Sequence, residues 1–308
     1  MNQSACDPVV SVCIATWRRP ELLRRLVLEL LDQVDAPPYE IIIVDNDAEE
    51  SGKQRIDDLL TAHAQRLRYS VERRRNIAHA RNHSLSMAQG QWIAFIDDDE
   101  VPGPRWLSAM YSTARACKAD GVFAPVVGEL SEHAAGWLIK GGFFNHVRHE
   151  TGSTMPRGEL RTSNTLIRAA LLSGRQGPFD PAFGLSGGED SRLFRELAQN
   201  GAVFVWCDED DAVVRESIPA DRARIGWLLK RAFRGGQTYA RVERILNPST
   251  GFKLTLLGKA VMFLPAALLL AILTLPAGWH YSFKWQRKCA AQLGKLASFT
   301  PYTFLEYQ

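Results

Sequence analysis

The sequence predicts an α/β protein: a mixed, mostly parallel sheet flanked by helices, followed by a C-terminal helical region that associates with a membrane. Three observations carry this. Short apolar runs that end in polar residues alternate with stretches of helical periodicity over the first two-thirds of the chain. The run from Trp92 to Ile96 leads straight into four acids, Asp97 to Glu100, as a strand buried on both faces of a parallel sheet would. From Asp221 onward the chain turns basic and then strongly apolar.

The elements follow in order. Val9–Ala15 is apolar and β-branched enough for a strand, and Pro20 is well placed to open a helix in which Leu22, Leu23, Leu26, Val27, Leu30 and Leu31 recur at helical spacing. Glu40–Val44 is a second buried strand, ending in Asp45-Asn46-Asp47. A polar helix over Ser51–Arg66 leads to a strand at Leu67–Glu72, then to Arg73–Asn76 and a helix reaching Gln89, which Gly90 stops before Trp92–Ile96. Beyond the break at Val101–Pro104, Arg105–Cys117 reads as a helix, Gly121–Glu129 as a strand, Ser131–Gly158 as irregular and Thr162–Ile167 as a strand again. A loop as long as Ser131–Gly158 is usually functional or mobile. Glu189 and Asp190 open an amphipathic helix with Leu193, Phe194 and Leu197 inward, and Gly201–Cys207 is the last strand. The acids Asp208–Asp211 read as a solvated turn.

Bulk properties exclude several classes. The 308 residues, 46% hydrophobic and 23% charged, suit one large domain with an appendage or two domains. Five scattered cysteines without a CxxC pair leave no disulfide framework or zinc site and suit a reducing cytoplasm. The N-terminus has neither a basic start nor an apolar core, so no signal peptide is expected. No GxGxxG follows the first strand, which removes the dinucleotide fingerprint. The net charge of +3 says little until its location is known; nucleic acid is not an expected partner.

In a doubly wound sheet the polar strand ends share one rim. Here that brings together Thr16–Arg18, Asp45–Asp47, Arg73–Asn76 and Asp97–Glu100, so acids and arginines meet in one cleft. Four adjacent carboxylates raise one another's pKa unless a cation compensates them. Oxygen donors suit Mg²⁺ or Mn²⁺, and Mg²⁺ is commonly held by one or two carboxylates plus substrate phosphates. Arginines such as Arg75 offer charge-assisted bonds to phosphate, and an Asp accepts from a base N–H. The same residues also read as an ordinary solvated rim, and the acids as a helix N-terminus.

Four motifs in order, Ser-Val-Cys-Ile-Ala-Thr-Trp-Arg-Arg-Pro, Glu-Ile-Ile-Ile-Val-Asp-Asn-Asp, Asn-Ile-Ala-His-Ala-Arg-Asn and Phe-Ile-Asp-Asp-Asp-Glu, resemble a family 2 glycosyltransferase with the GT-A fold over roughly residues 9–215. The resemblance implies a nucleoside-diphosphate sugar donor, usually UDP-linked, and inversion at the transferred carbon. It implies that Thr16 and Arg18 line the nucleotide pocket with Asp47, Arg75, Asn76 and Asp98 nearby, that Asp45 reads uracil, and that Arg81 lies by the base and pyrophosphate. Asp97 and Asp99 become the acids of a DxD motif, with Asp99 the principal metal ligand; Glu100 stands where the family usually has aspartate. Ser163 and Asn164 match a polar pair facing the sugar, and read equally as Asx-type turn residues.

Gly187 and Gly188 let backbone approach a ligand closely. Acids in the first turn after them suit the helix dipole, but the block also resembles the family's base-bearing motif, with Asp190 the expected general base and Glu189 the second candidate. A carboxylate on the face opposite the leaving diphosphate takes the acceptor's proton as the bond forms. The expected division is a catalytic domain over 1–220, its nucleotide-sugar half about 9–100 and its acceptor half about 101–220, and a membrane-associated tail over 221–308.

In that tail Asp221–Leu246 is a basic amphipathic helix, suited to an anionic membrane surface. No charge lies between Lys259 and Trp279, a stretch just long enough to cross a bilayer core. Pro265 and Pro276 interrupt it, Trp279 and Tyr281 suit the interface, and basic residues flank both sides, so a broken or re-entrant segment with both ends cytoplasmic is expected. The whole resembles bacterial exopolysaccharide (succinoglycan-type) β-glucosyltransferases. That implies transfer of glucose from UDP-glucose to a lipid-linked, polyprenyl-diphosphate saccharide at the cytoplasmic face of the inner membrane. Without a Gln-x-x-Arg-Trp motif or an array of spans, a processive synthase is not expected. A sugar nucleotidyltransferase shares the sheet, acids and Mg²⁺, but needs a Gly-rich basic loop where Thr16–Pro20 stands. A non-catalytic sugar-nucleotide-binding protein is the other alternative.

Overall fold

The structure, a computed structural model of the protein, describes residues 7–305; Cys6 and the N-terminal stretch read for a signal peptide lie outside the described residues. The chain forms two compact units, the first from residues 7–127, 146–184 and 189–216, the second from 128–145, 185–188 and 217–305. The second unit therefore takes two segments from within the first 220 residues, rather than beginning at a single cut.

The chain begins with β1 (Val10–Thr16), α1 (Pro20–Leu31), β2 (Tyr39–Asp45), α2 (Lys53–Ala62), β3 (Leu67–Val71), α3 (Ile77–Met87) and β4 (Trp92–Phe95). It continues through β5 (Glu100–Pro102), α4 (Trp106–Ala116), β6 (Gly121–Phe123), β7 (Val126–Glu129), α5 (Gly136–Gly141), β8 (Thr165–Arg168), α6 (Glu189–Gln199), β9 (Phe204–Trp206) and β10 (Val214–Ser217). The seven-stranded sheet has the order β3-β2-β1-β4-β8-β6-β9, and β8 alone runs against its neighbours.

Period-2 alternation divides the strand residues between two cores. Val10, Val12, Ile14, Ile41 and Ile43 pack with α1, α2 and α4, including Leu23, Leu26, Ile56, Trp106 and Met110. Cys13, Ile42, Val44, Ile93 and Phe95 pack on the other face with α3 and α6, including Ala78, Ala80, Leu193 and Phe194. Both faces are covered, which is why the strands read as unbroken apolar runs.

Register then sets the rim. Thr16 pairs with Asp45, and Cys13 with Phe95, so three residues further along, Thr16 and Asp98 come side by side. Because β8 is antiparallel and Thr165 pairs with Phe95, the residues leading into β8, including Ser163, arrive at the acidic end of β4.

Several expected bounds shift. The single strand Gly121–Glu129 is two, separated at Ala124-Pro125, where the proline has no N–H to give a ladder. β8 starts only at Thr165 because Asn164 adopts φ +50°. The short strands β5 and β10 pair antiparallel and were not expected; three or four residues carry no readable period. Cys13, Cys117, Cys207 and Cys289 are free thiols.

The second unit is built from α7 (Ile225–Leu246), α8 (Thr250–Leu273) and α9 (Trp279–Ala297) with α5. Phe143, Phe144, Leu138, Ile218, Leu228 and Phe283 form its core, so the Ser131–Gly158 stretch contributes packing as well as loop. Backbones of α7 and α9 cross closely: a Cβ on Gly236 would lie 1.9 Å from the Ala291 carbonyl oxygen, and one on Gly294 1.9 Å from that of Phe233. α8 runs unbroken through Pro265, correcting the expected interruption there; the chain turns only at Leu275–Ala277, beside Pro276. The Ser282 hydroxyl donates to the Ala271 carbonyl at 2.7 Å, joining α9 to α8 as a hairpin. Leu254, Val261, Met262, Phe263, Leu268, Leu269, Ile272 and Leu273 of α8 are exposed.

Candidate active site

The four acids after β4 alternate in exposure. The side chains of Asp97 and Asp99 keep 43% and 14% of their surface, Asp98 only 6%, and Glu100 is buried. Asp98 Oδ2 accepts from the Thr16 hydroxyl at 2.7 Å and Oδ1 from Arg19 Nη1 at 2.7 Å; the same Nη1 reaches Asp99 Oδ2 at 2.8 Å. Glu100 accepts from the Asp97 N–H at 3.0 Å and from the Ser163 hydroxyl.

The electrostatics follow from burial and like charge. Burial pushes Asp98 up to about 6; Arg19 opposes this and Asp99 adds to it. Burial raises Asp97 as well, with Arg81 opposing and the charges of Asp99 and Asp190 adding. Glu100 is raised well above the usual range, by burial and then by Asp97. For Arg19, burial works against the charge, but Asp98 and Asp99 outweigh it and raise its pKa.

Arg81, on α3, joins the acidic tip to α6. Its Nη1 pairs with Glu189, the first residue of α6, and its Nη2 lies 3.3 Å from Asp97 Oδ1. Arg81 and Glu189 are both buried. Asp190, the next residue, is half-buried; its Oδ2 accepts from the Thr162 N–H at 3.2 Å and its Oδ1 from the Ser191 N–H at 2.6 Å. Asp97, Arg81, Glu189, Asp190, Thr162, Ser163 and Glu100 thus close a polar ring around the end of β4. Arg161 lies beside it: burial lowers its pKa to about 10, against the attraction of Glu100, Glu159 and Asp190.

Along the nucleotide rim, Arg18 Nε donates to Asp47 Oδ2 at 3.1 Å. Burial works to raise Asp47, but the hydrogen bond and charge of Arg18 hold it below the usual range. The guanidinium groups of Arg75 and Arg18 lie 4.4 and 5.2 Å from the centre of the Trp17 ring. Arg18 takes φ +54°, uncommon for a residue with a Cβ.

The placement revises several expectations. Asp45 is fully buried, accepting from the Asp47 N–H at 2.9 Å and, at 2.8 Å each, from the Gly52 N–H and the Tyr69 hydroxyl; three of its acceptor positions are spent on closing a turn. Asn164 is a buried strut: its amide donates to the carbonyls of Pro125 and Ala212 and accepts from the Trp106 indole, all at 2.8 Å. Asn76 caps α3, accepting from the Ala78 N–H at 3.0 Å. Thr16 is buried and braces Asp98 instead of lining a pocket wall. Glu189, ion-paired and buried, is poorly placed to receive a substrate proton, and Asp190 is the more open of the two. Arg19, Arg161 and Trp17 were not singled out from sequence. Arg19 stood in the quoted motif, but nothing in its spacing told it from Arg18.

The donor set suits a hard divalent cation. Among the described residues no group of three or more His, Cys, Asp or Glu is gathered to hold a metal by itself. Asp97 and Asp99 supply two oxygen-donor side chains on the open side, which matches a cation whose coordination substrate phosphates complete.

A doubly covered, mostly parallel sheet with alternating acids at the end of a central strand, linked to a carboxylate on a later helix, is the arrangement of a GT-A glycosyltransferase. The profile described as Glycosyl transferase family 2 matches residues 11–165, and the chain belongs to that family. It is 35% identical over 239 residues to the succinoglycan biosynthesis protein ExoM of Rhizobium meliloti, covering 76% of this chain and 74% of that one. Among solved structures it resembles S. aureus TarS 1–349 in complex with UDP (TM-score 0.54, 15% identity, 94% of this chain and 90% of that one). It also resembles the mannosyltransferase PcManGT of Pyrobaculum calidifontis in complex with GDP-Man and Mn²⁺ (TM-score 0.57, 18% identity, 96% and 88%). These two likenesses show the GT-A fold. Family membership sets aside the nucleotidyltransferase alternative.

The raised pKa of Asp98 has a definite sign. Its folded value, about 6, lies above the ordinary 3.8, so the folded state binds the extra proton and stability falls as pH rises between the two. Asp98→Asn removes that step. The stability difference, wild type minus variant, is expected to fall by roughly 2 kcal/mol from pH 4 to pH 7 in urea titrations without metal. A difference that is flat or rises over that window contradicts the assignment.

Proposed function

We propose that the protein is an inverting, metal-dependent hexosyltransferase that moves glucose from UDP-glucose to a polyprenyl-diphosphate-linked saccharide in bacterial exopolysaccharide assembly, at the cytoplasmic face of the inner membrane. The observation that carries this reading is the ring joining Asp190 to the acidic tip: a half-open carboxylate whose charge is felt at Asp97. Likeness to ExoM supports the exopolysaccharide role. The fold shared with TarS bound to UDP and with PcManGT bound to GDP-Man and Mn²⁺ supports a nucleotide-sugar donor and a divalent cation.

In this mechanism Asp190 accepts the acceptor hydroxyl's proton as its oxygen bonds to the anomeric carbon and the bond to the diphosphate breaks on the opposite face. Asp97 and Asp99 would hold the cation, which neutralises charge developing on the leaving diphosphate. Ser163, hydrogen-bonded to Glu100 in the ring, would meet the sugar, and Arg18 and Arg75 the nucleotide. Arg81 positions both acids through Glu189 and Asp97.

The tail supports membrane association. Residues 217–308 carry 13 Lys and Arg against three Asp and Glu, a net +10, whereas the whole chain is +3. α8 is long enough, at about 36 Å, to match a bilayer core, and only 22% of its most apolar window is buried. Because α9 returns along α8 bearing Lys284, Arg287, Lys288 and Lys295, both ends of the hairpin stay on one side. The apolar face enters the membrane while the basic residues meet anionic headgroups.

Two outcomes are expected. Asp190→Asn lowers glucose transfer from UDP-glucose by roughly 10²–10⁴-fold while UDP affinity stays within about twofold; unchanged transfer refutes the base, and loss of both together points to a structural role. In flotation, the full chain rises with vesicles containing anionic phospholipid. Replacing Met262, Phe263, Leu269 and Ile272 by serine leaves it at the bottom, and a variant that still floats refutes docking through α8.

A further inference from the structure

Arg19 sits in an unusual place for a residue of this charge. It immediately precedes α1, with Pro20 in the first helical position and no side-chain capping bond. A cation at a helix N-terminus is disfavoured by the helix dipole. What holds it is a single nitrogen, Nη1, shared between Asp98 Oδ1 at 2.7 Å and Asp99 Oδ2 at 2.8 Å. That bridging position between two carboxylates is where a bound cation would also gain most. Yet Arg19 is not walled in: its side chain keeps 35% of its surface, whereas Arg81, which braces the neighbouring Asp97 from the other face of the sheet, keeps only 9%.

The two arginines are therefore built differently. Arg81 is buried between Asp97 and Glu189 and cannot leave without stranding a buried carboxylate. Arg19 can leave at smaller cost: its own side chain is already part-exposed, Asp99 keeps more of its surface than Asp98, and the buried Asp98 keeps the Thr16 hydroxyl while a cation arriving at the adjacent Asp99 replaces the lost charge. A divalent ion at Asp99 repels a guanidinium held on the same carboxylate. A diphosphate beside that ion offers the guanidinium a bidentate anionic partner a short swing away.

We propose that Arg19 is a ligand of the donor diphosphate that is stored on Asp98 and Asp99 until a divalent cation takes Asp99. The inference rests on the proposed nucleotide-sugar function and adds a residue and an order to it. Cation and arginine exclude each other at Asp99, and donor binding makes the exchange favourable by giving Arg19 a new partner. The acids then keep a compensating positive charge in both states, Arg19 without ligand and the cation with it. Because linkage is reciprocal, the cation tightens donor binding by the same factor as the donor tightens cation binding.

The test uses the full chain and two titrations that need no turnover: Mn²⁺ binding without nucleotide, followed by electron paramagnetic resonance of free Mn²⁺, and UDP binding calorimetry at saturating Mn²⁺. Arg19→Ala is expected to bind Mn²⁺ roughly tenfold more tightly than wild type, and UDP roughly tenfold more weakly, a coupling of ordinary size. Arg19→Gln, which keeps a polar side chain without the charge, must show the same pair of opposite changes, and Arg19→Lys must fall between them and wild type. If folded Arg19→Gln binds Mn²⁺ no more tightly than wild type, or binds UDP equally well, the inference is overturned while the proposed function stands. If wild type binds neither Mn²⁺ nor UDP, the proposed function itself fails.

Discussion

Four carboxylates follow one another at the end of a buried strand, and the first unit depends on their being compensated. Asp98 and Glu100 are pushed above the usual carboxylate range, first by burial and then by neighbouring acids. Their alternation sends Asp98 and Glu100 inward to Thr16 and Ser163 and leaves Asp97 and Asp99 toward the open side. Arg19 comes from the start of α1 and Arg81 from α3, on opposite faces of the sheet, and between them they contact three of the four acids and Glu189. The two core layers thus hold helices at positions where their arginines can reach a single strand end.

That constraint explains how far the sequence could be read. The strands β1 to β4 and helices α1, α3, α4 and α6 were legible because each is buried on a whole face or stripe, so burial appears directly as periodicity. β5 and β10 were not, being too short for any period. The acidic tip was legible as a cluster of like charges, and the start of α6 as a pair of acids after glycines. What sequence could not reveal was how polar capacity is shared: Asp45, Asn76, Asn164 and Thr16 look like ligand contacts in one dimension, but spend their hydrogen bonds on turns, a helix cap, a strut and a carboxylate. Conversely, Arg19 looks like one basic residue of a pair until register places it against Asp98 and Asp99.

The second unit follows a different logic. Its helices α7 and α9 meet through Gly236 and Gly294, where only a missing side chain permits the approach. α8 instead offers apolar side chains with little protein covering them. Pro265 fails to break α8 because one missing N–H leaves the rest of a 24-residue ladder intact; the turn at Leu275–Ala277 does what that proline was expected to do. The surplus of positive charge on the same segment gives the exposed helix a surface to lie against, so charge and apolarity point to one partner.

The central claim is that the open acids Asp97 and Asp99 receive a divalent cation that replaces arginine as the compensating charge and anchors the donor diphosphate. Crystals grown with UDP and Mn²⁺ and measured at the manganese absorption edge test this most directly. An anomalous peak between Asp97, Asp99 and the diphosphate, with Asp190 facing the vacant side of the donor site, is the predicted result. Bound UDP with no manganese peak at these carboxylates, or a peak held by other residues, would contradict it.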